Sequence, residues 1–171
     1  MPRCLRAVLP FVDKLFITDT GSTDDTIAIA KAFGARVFKF RWVDDFSAAR
    51  NYALAWVDTP WVMTLDADDI VLNPWNIKPL IEDSARQQAT CLMSQYLSTP
   101  TLTIGRPQIV RSEMYRFMGA VHESFQPVKH PDKHVLSMTD LKIYHNKPLE
   151  RAEPSARKYL DIMLAKDPTN Y

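Results

Sequence analysis

The chain has 171 residues, of which 46% are hydrophobic and 11% aromatic, enough apolar material for one domain with a sizeable core. Its 21 basic and 20 acidic residues are spread along the chain, and this balance argues against a nucleic-acid partner or an anionic membrane surface. No apolar run approaches the roughly 20 residues that span a bilayer. The two cysteines, Cys4 and Cys91, are far apart, as expected for reduced thiols, so we expect a cytoplasmic protein without an integral membrane segment.

The first half of the chain alternates short strand patterns with helical patterns. The predicted strands are 15–18, 36–40 and 61–65, and the predicted helices between them are 26–33 and 47–57. Gly34 lies where a left-handed residue would end the first helix. This order is typical of an α/β fold with βαβ crossovers and a mainly parallel sheet, whose ligands bind beyond the carboxyl ends of the strands.

The second half predicts an antiparallel addition to that sheet. A helix from about residue 74 to 87 is followed by predicted strands at 91–96, 108–111 and 141–144. The last apolar helical pattern covers 154–166. We therefore expect one domain over residues 1–150 and a C-terminal helix within 151–171, which could open a helical extension.

The motif Asp66-Ala67-Asp68-Asp69, directly after the third predicted strand, says most about function. Asp66 and Asp68 are two residues apart, so in an extended segment they point to the same side and can share one divalent cation. Such an ion can in turn hold a diphosphate. The alternative is an acidic turn that caps the next helix, a common use of short acidic patterns.

A second acidic loop, residues 19–25, follows the first predicted strand. Asp19 could accept a hydrogen bond from a base or ribose, and Gly21 would allow the backbone to approach the ligand closely. The alternative is a helix cap of the kind that Ser22 and Asp25 would form. Two acidic loops at one sheet edge favour a nucleotide diphosphate held by a metal, and the sequence lacks the G-x-x-x-x-G-K-[ST] pattern of P-loop enzymes.

Four segments, in matching order and spacing, resemble the family 2 glycosyltransferases with an A-type fold: residues 11–13, 19–26, 42–51 and 65–69. The resemblance implies a Rossmann-like α/β fold. It also implies transfer of a sugar from a nucleotide-diphosphate sugar to an acceptor hydroxyl, with inversion and with Mg²⁺ or Mn²⁺ as the cofactor.

The resemblance assigns a metal site and a nucleotide site. It makes Asp68 the leading metal ligand and Asp66 a ligand or a ribose contact, while Asp19 would approach the base. His145, at the end of a predicted strand, resembles a late histidine that completes the metal site, since imidazole can join carboxylates on Mn²⁺. The alternative for His145 is a histidine that is only hydrogen bonded.

The resemblance also assigns a donor-binding pair and a base. Arg50 and Asn51 resemble the donor-binding Arg-Asn pair of the family, although Arg50 could instead be a surface arginine paired with Asp44 or Asp45. Glu123 resembles the general base, which would take the proton of the acceptor hydroxyl. Its alternative is an exposed glutamate.

One departure from the family pattern concerns the start of the fold. Family members normally begin with a strand and a nucleotide-binding loop before the helix that this chain enters at about Arg3. The resemblance therefore predicts an N-terminally truncated domain, whose sheet another segment or a second copy in a homo-oligomer would complete.

Two other functions compete with glycosyl transfer. One is a non-catalytic nucleotide-sugar-binding or interaction domain derived from a glycosyltransferase. The other is a phosphotransferase with an aspartyl nucleophile, which is disfavoured because such a site normally lies on the first strand of its sheet.

Overall fold

The computed structural model describes residues 1–99, 101–146, 161–162 and 165–166. Through residue 146 the helices are α1 (Pro2–Val8), α2 (Thr26–Ala32), α3 (Phe46–Leu54) and α4 (Ile77–Gln87). The strands are β1 (Phe16–Asp19), β2 (Arg36–Lys39), β3 (Trp61–Met63), β4 (Asp69–Val71), β5 (Cys91–Leu97), β6 (Thr103–Arg111), β7 (Tyr115–Met118), β8 (Ser124–Pro127) and β9 (Leu136–His145). Residues 161–162 and 165–166 are helical. The rest of the predicted C-terminal helix and of the segment 151–171 lies outside the described residues.

Turn chemistry in the sequence explains where the first helices begin and end. The Asp24 carboxylate accepts a hydrogen bond from the Thr26 N–H at 3.0 Å, at the start of α2. Gly34 has φ +77°, the left-handed conformation expected of it after α2. Asp45 caps α3 by accepting from the Ala48 N–H at 2.9 Å. The predicted helices are therefore confirmed, with small shifts at their ends.

The strands form a five-stranded sheet with two smaller strand pairs beside it. The order in the large sheet is β3-β6-β5-β9-β4, in which only β5 and β9 run parallel. The pair β1–β2 is parallel, as predicted, and β7–β8 form an antiparallel hairpin. The antiparallel addition from the second half of the chain is thus confirmed.

The position of β3 differs from the predicted parallel crossovers. It pairs antiparallel with β6, placing Val62 opposite Val110 and Met63 opposite Ile109. Val110 is fully buried and Ile109 is 1% exposed, so this pairing places β3 against the apolar centre of the sheet. The α/β class is confirmed, but parallel pairing within the described strands is limited to β1–β2 and β5–β9.

Both faces of the large sheet are covered near β5 and β6, because side chains alternate along each strand. Leu92 and Ile109 belong to one core cluster, which also includes Val8 of α1 and Ile77 of α4. A second cluster contains the following buried residues: Leu54, Cys91, Val110, Met114, Tyr115, Phe117 and Phe125. The strand ends that carry the acidic residues are therefore fixed to a packed core.

Among the described residues, no helix has the length and apolar character to cross a membrane.

Candidate functional site

The acidic motif lies between β3 and β4, and the edge of the sheet brings it to His145. In the antiparallel pair β4–β9, Asp69 lies directly opposite His145. Asp66, Asp69 and His145 each offer a ligand atom, and these atoms lie within 4.8 Å of one another. Asp68 is close by, with its Oδ1 3.9 Å from His145 Nδ1. The structure thus brings together the three residues predicted to bind metal, Asp66, Asp68 and His145, and adds Asp69.

Asp69 is fully buried and holds the loop together. One carboxylate oxygen accepts from the Asp66 N–H at 2.9 Å, and the other accepts from the Tyr96 hydroxyl at 2.7 Å. His145 Nδ1 is 3.1 Å from that second oxygen. Burial, and then the negative charge of Asp66, raise the pKa of Asp69, and these hydrogen bonds oppose the shift.

Arg50 joins the metal-site aspartate to the predicted base. Its Nε donates to Glu123 Oε1 at 2.6 Å, and its Nη2 forms an ion pair with Asp66. The Glu123 side chain is only 10% exposed, and the guanidinium lies 5.3 Å from the centroid of the Phe117 ring. The alternative in which Arg50 is a surface residue paired with Asp44 or Asp45 is therefore wrong.

The charges around Arg50 determine its protonation and that of Asp66. Burial disfavours the cation, but the carboxylates of Asp66 and Glu123 outweigh this effect and raise the pKa of Arg50. Burial likewise works against the Asp66 carboxylate, and here the positive charges of Arg50 and Arg106 prevail and lower its pKa. Asp66 is therefore held in the ionised form that a metal ligand requires.

Arg106 and Tyr96 are site residues that sequence reasoning missed. Arg106 Nη1 lies 3.6 Å from Asp66 Oδ2, and its guanidinium is 4.7 Å from the centroid of the Tyr96 ring. The predicted strand began at 108, whereas β6 begins at 103 and carries Arg106 to the site. Residues 103–111 could have been predicted as one longer strand, but Gly105 and Pro107 interrupt the strand pattern.

Asn51 and Asp19 both form hydrogen bonds with backbone groups, Asn51 with a distant strand and Asp19 with its own loop. The Asn51 amide donates to the Phe117 carbonyl and accepts from the Phe117 N–H, each at 2.9 Å, which ties α3 to β7. Asp19 is 6% exposed and accepts from the N–H groups of Gly21 and Ser22 at 3.2 Å. Asp19 therefore orders the acidic loop in which it was predicted to contact a base.

Two aspartates order the loop before α3. Asp44, with φ +54°, accepts from the Trp42 indole N–H at 2.7 Å, while Asp45 caps the helix. The Phe46 N–H donates to the Ala120 carbonyl at 2.9 Å and so joins this loop to the segment that leads to Glu123. These contacts set the position of Arg50 relative to Glu123.

The donor set suits a hard or borderline divalent cation. Carboxylate oxygens and water are the usual ligands of Mg²⁺ and Mn²⁺, and a neutral imidazole can join them on Mn²⁺. Asp66 is held ionised, and an imidazole lies beside it. The residues present therefore fit such an ion.

The chain resembles known glycosyltransferases in sequence and in fold. Residues 1–135 match the model of the family described as glycosyl transferase family 2. The SPbeta prophage-derived glycosyltransferase SunS of Bacillus subtilis is 29% identical over 154 residues, or 84% of this chain and 36% of SunS. A TPR repeat-containing protein of Synechococcus elongatus is 49% identical over 76 residues, or 44% of this chain and 19% of that protein.

A solved structure shares the fold at low sequence identity. Glucosyl-3-phosphoglycerate synthase from Mycobacterium tuberculosis, in complex with Mn²⁺ and uridine-diphosphate-glucose, superposes with a TM-score of 0.58 and 20% identity. The match covers 94% of this chain and 72% of that one. The predicted A-type glycosyltransferase fold is confirmed, whereas the chain spans only 19% and 36% of the length of the two curated relatives.

Proposed function

Because the chain belongs to glycosyl transferase family 2, we propose that it transfers a sugar from a nucleotide-diphosphate sugar to an acceptor hydroxyl with inversion at the anomeric carbon. The observation that carries the proposal is the position of Arg50 between two carboxylates. Arg50 bridges Asp66 of the metal group to Glu123, so a cation site and a carboxylate base lie on either side of one guanidinium.

Asp66, Asp68 and His145 would hold the divalent cation. When bound, Mn²⁺ or Mg²⁺ neutralises the charge of a diphosphate leaving group. The Mycobacterium enzyme with the same fold was solved with Mn²⁺ and uridine-diphosphate-glucose, which supports a nucleotide-sugar donor for this chain.

Arg50 supplies positive charge on the protein side of the donor. It remains cationic because two carboxylates flank it, and a planar guanidinium can hold two phosphate oxygens through two parallel hydrogen bonds. Asp19, at the carboxyl end of β1, orders the loop in which a nucleotide base would lie.

Glu123 is the general base in this proposal. Direct displacement at an anomeric carbon needs one base to take the acceptor proton as its oxygen attacks, and it needs no covalent intermediate on the protein. The ion pair with Arg50 fixes the Glu123 carboxylate in one position, so its orientation is set before the acceptor arrives.

The proposal is tested by donor hydrolysis and transfer in the presence of Mn²⁺ with a panel of nucleotide sugars. We expect release of nucleotide diphosphate from at least one donor. We also expect Asp66→Asn and Asp68→Ala to reduce that release by roughly 10-fold or more, as loss of metal ligation predicts.

Asp58→Asn is the matched control, because Asp58 is 56% exposed and pairs with Lys14 away from the metal group. Its release rate should equal that of the unchanged protein. Absence of release from every donor, or equal rates in all of these variants, would overturn the proposal.

A further inference from the structure

We propose that Tyr96 is a positioning residue of the cation site, whose hydroxyl, together with Asp69, holds His145 as the tautomer with the proton on Nδ1 and leaves Nε2 as the nitrogen that can bind a cation. The inference rests on the proposed function only in naming the cation. The tautomer itself follows from three groups that are all in contact.

The Tyr96 hydroxyl lies between two partners. Its oxygen is 2.7 Å from Asp69 Oδ1 and 2.8 Å from His145 Nδ1, and the same carboxylate oxygen is 3.1 Å from Nδ1. Tyr96, Asp69 and His145 therefore form a closed triangle of polar atoms within hydrogen-bond distance.

When Asp69 is ionised, only one arrangement of protons satisfies the hydrogen bonds of this triangle. A carboxylate only accepts, so the single proton of the Tyr96 hydroxyl is donated to Asp69. The tyrosine oxygen can then only accept from His145. Both atoms that face Nδ1 are acceptors, and Nδ1 must carry the proton.

With the proton on Nδ1, Tyr96 and Asp69 orient His145 and do not themselves bind the cation. A neutral imidazole with its proton on Nδ1 has its lone pair on Nε2, so Nε2 is the only ring nitrogen that can ligate. Asp69 accepts from Asp66, Tyr96 and His145 and is fully buried, so it orients the ligands, as carboxylates behind metal-bound histidines commonly do.

Packing holds Tyr96 in the position that this role requires. Tyr96 is 5% exposed and lies opposite Ile143 in the parallel β5–β9 pair, two residues before His145. The Arg106 guanidinium covers its ring at 4.7 Å from the centroid. Burial and the charge of Asp69 raise the pKa of Tyr96, so the hydroxyl keeps the proton that it donates.

The first test reads the tautomer directly in metal-free protein. Long-range ¹H–¹⁵N spectra of the imidazole rings distinguish a protonated ring nitrogen from one with a free lone pair. At about pH 9, above the usual range of imidazole titration, we expect His145 Nδ1 to be protonated and Nε2 to be free. His145→Gln assigns the signals among the four histidines, and a protonated Nε2 would overturn the proposal.

The second test removes the Tyr96 hydroxyl alone. In Tyr96→Phe we expect part of the His145 population to move to the other tautomer, and we expect Mn²⁺ affinity, measured by calorimetry, to weaken by about 10-fold. If both the spectrum and the affinity remain those of the unchanged protein, Tyr96 does not position His145.

Tyr115→Phe is the matched control for that variant. The Tyr115 hydroxyl contacts His134 Nδ1 and is 2.8 Å from Thr90 Oγ1, so the same group is removed from beside a different histidine. Its Mn²⁺ affinity and its His145 spectrum should not change.

The tautomer is measured without metal or donor, so the two proposals fail independently. Failure of sugar transfer would not contradict the assigned tautomer, and a reversed tautomer would not contradict glycosyl transfer.

Discussion

Arg50 and Glu123 lie 73 positions apart in the sequence and form an ion pair with an Nε–Oε1 distance of 2.6 Å. The contact connects α3, which follows the first βαβ unit, to the segment between β7 and β8, directly before β8 begins. Both residues are largely buried, at 20% and 10% side-chain exposure. The guanidinium proposed to bind the donor and the carboxylate proposed as the base are thereby fixed relative to each other.

Glu123→Gln should lower the rate of sugar transfer by about 10²- to 10⁴-fold, because the amide retains the hydrogen bond from Arg50 but cannot take a proton. Binding of the nucleotide diphosphate, measured by calorimetry, should not change. Glu113→Gln is the control, since Glu113 is an exposed glutamate between β6 and β7. A Glu123→Gln variant with undiminished transfer would show that another group is the base.

Acid should destabilise the protein partly through Asp66. Its pKa is lowered in the folded chain by Arg50 and Arg106, against the effect of burial. The stability that this gives is fully present above the ordinary aspartate pKa and is lost as pH falls through the lowered value. Urea unfolding between about pH 3 and pH 6 should therefore show a weaker acid dependence in Asp66→Asn than in the unchanged protein.

The control for the acid series is Asp83→Asn, because the Asp83 side chain is 45% exposed and pairs only with neighbours on α4. Its pH dependence should match that of the unchanged protein. An Asp66→Asn curve parallel to the original would contradict the assigned role of Asp66.

Both cysteines should resist thiol reagents in the folded protein at neutral pH. Burial raises the pKa of Cys4 to about 11, with a further contribution from the charge of Asp69, and burial raises the pKa of Cys91 to about 12. Little thiolate is then available to react. A chromogenic disulfide reagent should react with both thiols only after denaturation, and fast reaction in native buffer would contradict this.

Asn51→Ala should destabilise the fold by about 1–3 kcal/mol, because it leaves the N–H and the carbonyl of Phe117 without their partner. The measurement is the free energy of unfolding in urea. Asn51→Asp keeps the acceptor for the Phe117 N–H and loses only the donor, so it should cost less at neutral pH than Asn51→Ala. Equal stability of all three proteins would contradict this structural role of Asn51.

The sequence predicted those parts of the site whose signal is local. Asp66 and Asp68 follow an apolar strand directly, and Gly34 occupies a helix-end position with well-understood chemistry. Arg50, Glu123 and His145 were predicted through resemblance. The structure places Arg50 between Asp66 and Glu123, and it places His145 beside Asp69.

The parts that sequence reasoning missed depend on which strands pair. Tyr96 and Arg106 reach the site only because β5 lies between β6 and β9, and no local pattern specifies these long-range pairings. β4 begins at Asp69, inside the acidic motif, so that residue reads as part of a loop. The antiparallel pairing of β3 with β6 is also a long-range contact, and it is stabilised by burial of Val62 and Met63 against the core.

The pairing of β9 with β5 has a consequence for how the length of this segment can vary. Met93 pairs with Met138 and Gln95 pairs with Lys142, so β9 carries two more residues than β5 across this interval and absorbs them in an irregularity. Insertions or deletions there could be accommodated by the same irregularity. Between Lys142 and His145 the pairing is regular, and because side chains alternate, a change of one residue in length would turn the imidazole to the opposite face of the sheet.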